Sequence, residues 1–197
     1  MKKIVYLSVA VIGLFIACKK EDTKPAIQSQ TFEINATSKT SWRYFSFAQN
    51  DTIAVTDSAS SNEWDLAFQR NNIKTNGGKS GNGMGSAANS YQKGQTGFDA
   101  LKLVPDTSTF ISDDSVVVPI QGSYTIYVIN PVLFTWFTMQ TADQGTQIVP
   151  TDNIYIVKTG TGKFAKVWFK SYYNAYATSG YVTIQYKYQP DGSKNLE

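Results

Sequence analysis

Val182-Thr183-Ile184-Gln185-Tyr186-Lys187-Tyr188 puts Val, Ile and two Tyr at every second position, with Thr, Gln and Lys between them. Strand side chains point alternately to opposite faces, so this spelling describes a half-buried β-strand with one apolar side. The same period recurs upstream. In residues 163–170, Ala165, Val167 and Phe169 share one face, while Phe164, Lys166 and Trp168 share the other. Ile154 and Ile156 alternate with Tyr155 and Val157, which makes both faces of that strand apolar. Trp42-Arg43-Tyr44-Phe45-Ser46-Phe47 and Trp64-Asp65-Leu66-Ala67-Phe68 are further strand candidates. Residues 116–120 and 124–129 read as a pair joined by a turn at Gln121-Gly122-Ser123. Turn chemistry separates the runs at Asn50-Asp51, Gly77-Gly78, Gly94, Asn130-Pro131, Gly160-Thr161-Gly162 and Ser179-Gly180. No amphipathic helix of ten residues or more is visible. The pattern predicts an all-β chain, with a single antiparallel β domain over residues 31–197.

Composition narrows the chemistry. The 197 residues include no His and one Cys, Cys18. That excludes Ser-His-Asp and Cys-His nucleophiles, His-bearing zinc sites, histidine ligation of haem, and any intrachain disulfide. The 18 Lys+Arg nearly balance the 15 Asp+Glu, so the chain lacks a basic footprint and no nucleic-acid partner is expected. Asp65, Asp99, Asp113 and Asp114 are available carboxylates, but no spacing pairs two of them for glycoside cleavage. Asp65 reads as a partner in a structural hydrogen bond or ion pair and Asp113-Asp114 as a turn. An enzyme is not expected.

The amino terminus reads as an address. Lys2 and Lys3 precede an apolar run over residues 4–17 that is too short to span a bilayer, so residues 1–17 are expected to be a signal peptide. The run ends in Phe15-Ile16-Ala17-Cys18, which resembles a bacterial lipobox. Cys18 is then the expected lipidation site and the start of the mature chain. An ordinary secretory cleavage would instead leave a free thiol in an exported protein, a liability. Lys19-Lys20-Glu21-Asp22 resembles a surface-export signal, although a solvated tether would look the same. Residues 18–30 are expected to form the lipidated cysteine and flexible tether.

Residues 76–88 hold five of the fourteen glycines. Dense glycine marks backbone that takes positive φ or approaches another group closely. A phosphate loop would need Gly-Lys-Ser to open a helix, and no helical pattern follows. Trp42 to Phe47, Trp64-Asp65-Leu66-Ala67-Phe68-Gln69-Arg70 and Asn76-Gly77-Gly78-Lys79-Ser80-Gly81-Asn82-Gly83 occur in this order. Ile154-Tyr155-Ile156-Val157, Lys163-Phe164-Ala165-Lys166-Val167-Trp168-Phe169 and the residues from Tyr172 to Tyr188 follow. Together they resemble the HmuY-like haem-binding lipoprotein family of Bacteroidetes.

That resemblance implies an all-β lipoprotein of the outer membrane, lipid-anchored at the cell surface. It would bind haem or a related porphyrin for iron acquisition and pass it to an outer-membrane haem receptor. Family members hold the iron between axial His or Met side chains. Without His, Met139 matches one ligand position; the null alternative is that it packs a core strand in which Leu133, Thr135, Phe137 and Met139 share a face. The segment matching the other ligand holds only Tyr124 and Tyr127 as iron-binding side chains, and both read equally well as ordinary strand tyrosines. Met84 could approach from the glycine loop, or simply anchor it. Phe134, Trp136 and Phe137 are candidates to line the haem pocket, and Lys79, Lys93 or Arg70 to meet the propionates. A second reading keeps the fold without haem and uses the aromatic surface for a glycan or a protein.

Overall fold

The structure, a computed structural model, describes residues 27–197 apart from 121 and 144. The expected signal peptide at 1–17, the lipidation site Cys18 and the charged residues 19–22 lie outside the described residues. In chain order the elements are β1 (Gln30–Asn35), β2 (Arg43–Ser46), β3 (Asp51–Ile53), β4 (Leu66–Gln69), β5 (Asn72–Thr75) and β6 (Ser86–Lys93). There follow α1 (Gly94–Ala100), β7 (Asp114–Ile120), β8 (Ser123–Ile129), β9 (Phe137–Ala142) and β10 (Gly145–Pro150). The chain closes with β11 (Asn153–Lys158), β12 (Phe164–Tyr173) and β13 (Ser179–Gln189).

A five-stranded sheet in the order β1-β13-β12-β11-β6 forms the centre, and every pairing in it is antiparallel. The alternation in β13 is realised: Val182, Ile184 and Tyr186 are buried on one side. The same face of the sheet carries Ala165, Val167, Phe169, Tyr155 and Val157. These pack on Phe45, Leu66, Phe68 and Ile73 from a four-stranded sheet in the order β3-β2-β4-β5. The opposite face of the five-stranded sheet buries Ile154 and Ile156 against Phe98, Leu101, Val104 and Leu196. Two apolar faces on β11 thus correspond to two covering layers, one a sheet and one the short helix with the carboxyl terminus.

Lys166 lies under that helix, almost fully buried. Its ammonium donates to the carbonyls of Phe98 (2.6 Å) and Leu101 (2.7 Å), two carbonyls at the carboxyl end of α1 that lack helical partners. Burial lowers its pKa to about 8.

Several local expectations are corrected. Residues 133–139 are not one strand. Asn130 Oδ1 accepts the backbone N–H of Val132 and Leu133, which winds Leu133–Thr135 into a 3-10 turn before β9 begins. Gly94 opens α1 rather than a turn. Asp113 is not in an exposed turn: its buried carboxylate accepts the N–H and hydroxyl of Thr75 and the Asn130 amide. Ser179-Gly180 starts β13, and the turn before it is built by Asn174 Oδ1 accepting from Tyr176 and Thr178. Gly94, Asp113 and Ser179 each had plausible turn chemistry. What overrides it is a tertiary partner, most visibly for Asp113.

Candidate functional site

Two hairpins stand outside the larger sheets, β7–β8 and β9–β10. In β7–β8, Val116 lies opposite Tyr127 and Val118 opposite Thr125, so these four share one face. In β9–β10, Met139 lies opposite Ile148 and Thr141 opposite Thr146 on a common face. A cleft lies between these faces. One lobe of about 420 Å³ is lined by Val118, Pro119 and Tyr127 from the first hairpin, Met139 from the second, and Phe134 from the 3-10 turn. Its floor is Asn71 and Asn72, at the turn between β4 and β5. The adjoining lobe, also about 420 Å³, shares Asn71, Asn72 and Tyr127 and continues past Thr146 and Ile148 to Lys39, Arg70, Tyr172, Tyr173 and Ser179. Each lobe falls in the size range of small-molecule sites.

The cleft brings together some of the expected residues and leaves others apart. Met139 is 62 % exposed and belongs to neither apolar core, so core packing does not describe it. Its thioether stands on the cleft wall, available to a soft metal. Tyr127, half-buried, lines both lobes. Tyr124 lies opposite Pro119 near the tip of its hairpin, is 67 % exposed and lines neither lobe. Met84 sits at the glycine loop: its N–H donates to Gly160, and its methyl lies over Gly162 in the turn between β11 and β12. It does not line the cleft.

Among the aromatic candidates, Phe134 lines the cleft and meets Phe137 edge-on at 5.5 Å. Phe137 itself packs against the main core. Trp136 is buried there, against Phe169 and Tyr172, and is not a lining residue. It acts one layer below: its indole N–H donates to the Asn71 carbonyl, fixing the cleft floor. The 3-10 turn explains this division, because it sends Phe134 outward while Leu133 and Trp136 point in.

Of the expected cations, Arg70 lines the far lobe. Lys79 instead pairs with Asp114 and Ser115 at the start of β7, and Lys93 ends β6 beside α1. Lys39 and the tyrosine pair Tyr172-Tyr173 complete the far lobe, and sequence reasoning missed Lys39. A single lysine in a polar loop carries no pattern that could have singled it out. The lining residues of both lobes include two cations and no carboxylate. An apolar wall with one sulfur, the Tyr127 phenol between the lobes, and cations at one end suits a flat ligand with an anionic edge.

The glycine loop has a structural task. Asn76 is fully buried, and its amide donates to the carbonyls of Ser61 and Trp64. A Cβ at Gly81 would lie 2.3 Å from Asn76 Oδ1, and one at Gly83 would lie 2.5 Å from the Asn76 carbonyl oxygen. The glycines let the loop close around this asparagine. Asp65 and Asp113, the two buried carboxylates among the described residues, are likewise engaged by backbone amides, of Phe47 and Thr75 respectively.

Comparison with known proteins gives a consistent picture. The family model described as HmuY protein matches residues 38–186. The structure is similar to that of a candidate HmuY-like haem-binding protein from Bacteroides vulgatus, at 25% identity and a TM-score of 0.61, covering 83% of this chain and 93% of that one. A candidate lipoprotein from Bacteroides fragilis shares 23% identity, with a TM-score of 0.63 over 85% of this chain and 94% of that one. An apo HmuY analogue from Tannerella forsythia shares 20% identity, with a TM-score of 0.63 over 86% of this chain and all of that one (100%). The latter two likenesses speak for the fold alone. No curated protein matches the chain.

Proposed function

The chain belongs to the HmuY family, and on that premise we propose that it binds haem in the cleft between its two hairpins, with Met139 as an axial ligand. The observation that carries this reading is the exposed Met139 thioether on the wall of a cleft also lined by Tyr127 and Phe134. An unpaired sulfur at such a position is poorly explained by packing and well explained by a ligand. Phe134 and Val118 would cover the porphyrin faces. Tyr127 is preferred to Tyr124 as a second donor, because Tyr127 lines both lobes of the cleft and Tyr124 lines neither.

A thioether is neutral and soft, so it favours ferrous iron. It also has no proton to lose or gain near neutrality, where an imidazole ligand would titrate. We read the protein accordingly as a surface lipoprotein of the outer membrane, anchored through Cys18. It would capture haem for iron acquisition and release it to an outer-membrane receptor.

The test is a titration of the purified protein with haem, oxidised and then dithionite-reduced, followed at the Soret band. A Soret shift is expected in the reduced state, with affinity weakened at least about tenfold by Met139→Ala. A shift unaltered by Met139→Ala overturns the ligand assignment. No shift in either state overturns haem binding and favours a surface protein that recognises another ligand with the same fold.

A further inference from the structure

We propose that the far lobe of the cleft is a carboxylate subsite, built on Arg70 with Lys39, that fixes the direction in which a porphyrin is held. This rests on the haem reading of the cleft and adds to it the orientation and the ligand class: the anionic edge lies at Arg70, and the ring between Tyr127 and Met139.

Arg70 occupies the turn between β4 and β5, with φ of 55°. A left-handed backbone is uncommon for a long side chain, and here it is held by the Arg70 N–H donating to the Ala36 carbonyl at 2.7 Å. The guanidinium is equally fixed. Nη1 donates to the Ser179 carbonyl at 3.1 Å and Nη2 to the Ser179 hydroxyl at 2.9 Å, while Cζ lies 5.4 Å from the centre of the Tyr172 ring. Gly180 makes room for it, since a Cβ there would lie 2.4 Å from Nη1.

All of these partners are neutral. No counter-charge therefore offsets the Arg70 guanidinium beside the lobe, and two of its five N–H donors are engaged by Ser179. It forms no ion pair among the described residues. Lys39 lines the same lobe, also without a carboxylate partner among the described residues. A rigid guanidinium with free donors matches a carboxylate geometrically as well as electrostatically. Its rigidity also means that little conformational entropy remains to be lost when a ligand carboxylate docks.

The opposite lobe offers no cation to a carboxylate. Val118, Pro119, Phe134 and Met139 line it, with Tyr127 at the junction. A ligand with two acids on one edge of an apolar disc is thereby given a single favourable orientation. A neutral disc of the same shape would lose the charged contacts and keep only the apolar ones.

The experiment compares haemin with haemin dimethyl ester, each titrated into the full mature chain and into Lys39→Glu and Arg70→Gln variants, with thermal melts as a control for folding. The wild type is expected to bind haemin about tenfold more tightly than the ester, and less so at 0.5 M than at 0.05 M salt. Lys39→Glu, a change at an exposed side chain, should weaken haemin by about tenfold and leave the ester unaffected. Arg70→Gln should do the same to haemin, and its melt separates that effect from loss of the turn. Equal binding of haemin and ester by the wild type, or equal effects of Lys39→Glu on both, overturns the subsite while leaving haem binding intact. Failure of haemin and ester alike to bind overturns the haem reading itself, and the subsite with it.

Discussion

At the scale of single residues, Asp65 holds the most consequential charge in the core. It is 6 % exposed, and its Oδ2 accepts the Phe47 N–H at 2.8 Å. Burial raises its pKa from 3.8 to about 6, with the Phe47 hydrogen bond and Lys163 opposing the rise. A carboxyl whose folded pKa is raised contributes stability that is fully present below pH 3.8 and is lost as pH rises through 6. The displacement is worth on the order of 3 kcal/mol. Asp65→Asn keeps an acceptor for Phe47 and removes the charge. Urea denaturation at pH 4, 5, 6 and 7 should therefore show the variant gaining on the wild type as pH rises, by about 2 kcal/mol across the series. A difference between the two proteins that stays constant with pH would refute the assignment. Of the two structural roles open to Asp65 from sequence, a hydrogen bond or an ion pair, the structure takes the hydrogen bond. The cost of its burial was not legible, because it depends on Tyr186, Tyr188 and Phe47 arriving from distant strands.

At the scale of elements, the strands were legible and the devices between them were not. Alternation identifies β12 and β13 because one face of each meets a core, and the doubly apolar β11 announces a second layer. The element that supplies this layer, α1, has seven residues and begins at a glycine, too little for a helical period to show. Lys166 then shares a strand face with Phe164 and Trp168, with nothing in the pattern to mark it as the helix's buried anchor. Likewise the β7–β8 hairpin could be read from its turn, whereas the 3-10 turn that aims Phe134 depends on Asn130 capping it. The glycine loop lets the same distinction be tested. Gly83 closes on Asn76 and Gly160, with backbone atoms at 2.5 Å and 2.7 Å from a would-be Cβ, whereas Gly122 at the hairpin tip has φ of 77° and open space around it. Gly83→Ala should cost about 3 kcal/mol through overpacking, and Gly122→Ala about 1 kcal/mol through backbone strain alone. Equal losses in urea denaturation would show that the loop does not wrap Asn76 tightly.

At the scale of the whole molecule, the position of the cleft relative to the amino terminus has a functional consequence. Residue 27 donates its N–H to the carbonyl of Glu197, and β1 starts beside it with Gln30 opposite Tyr186. The far lobe of the cleft includes Ser179, at the other end of β13, where it pairs with Tyr173. Seven residues of strand separate Ser179 from Tyr186, a span of roughly 23 Å. The chain thus enters at one pole and the cleft opens toward the other. With Cys18 acylated as proposed, we infer that the anchored protein holds its entry pole nearer the bilayer than its cleft. Nothing in the sequence pattern gives this polarity, since it follows from the antiparallel pairing of β1 with β13. It can be measured on the lipidated protein in vesicles carrying an acceptor dye on the lipid headgroups. A donor dye at Lys194→Cys, near the entry pole, should transfer energy strongly, and one at Thr146→Cys, on the cleft wall, weakly. Equal transfer from the two positions would mean that the anchored molecule presents no fixed pole to the membrane, and the inferred orientation would fall with it.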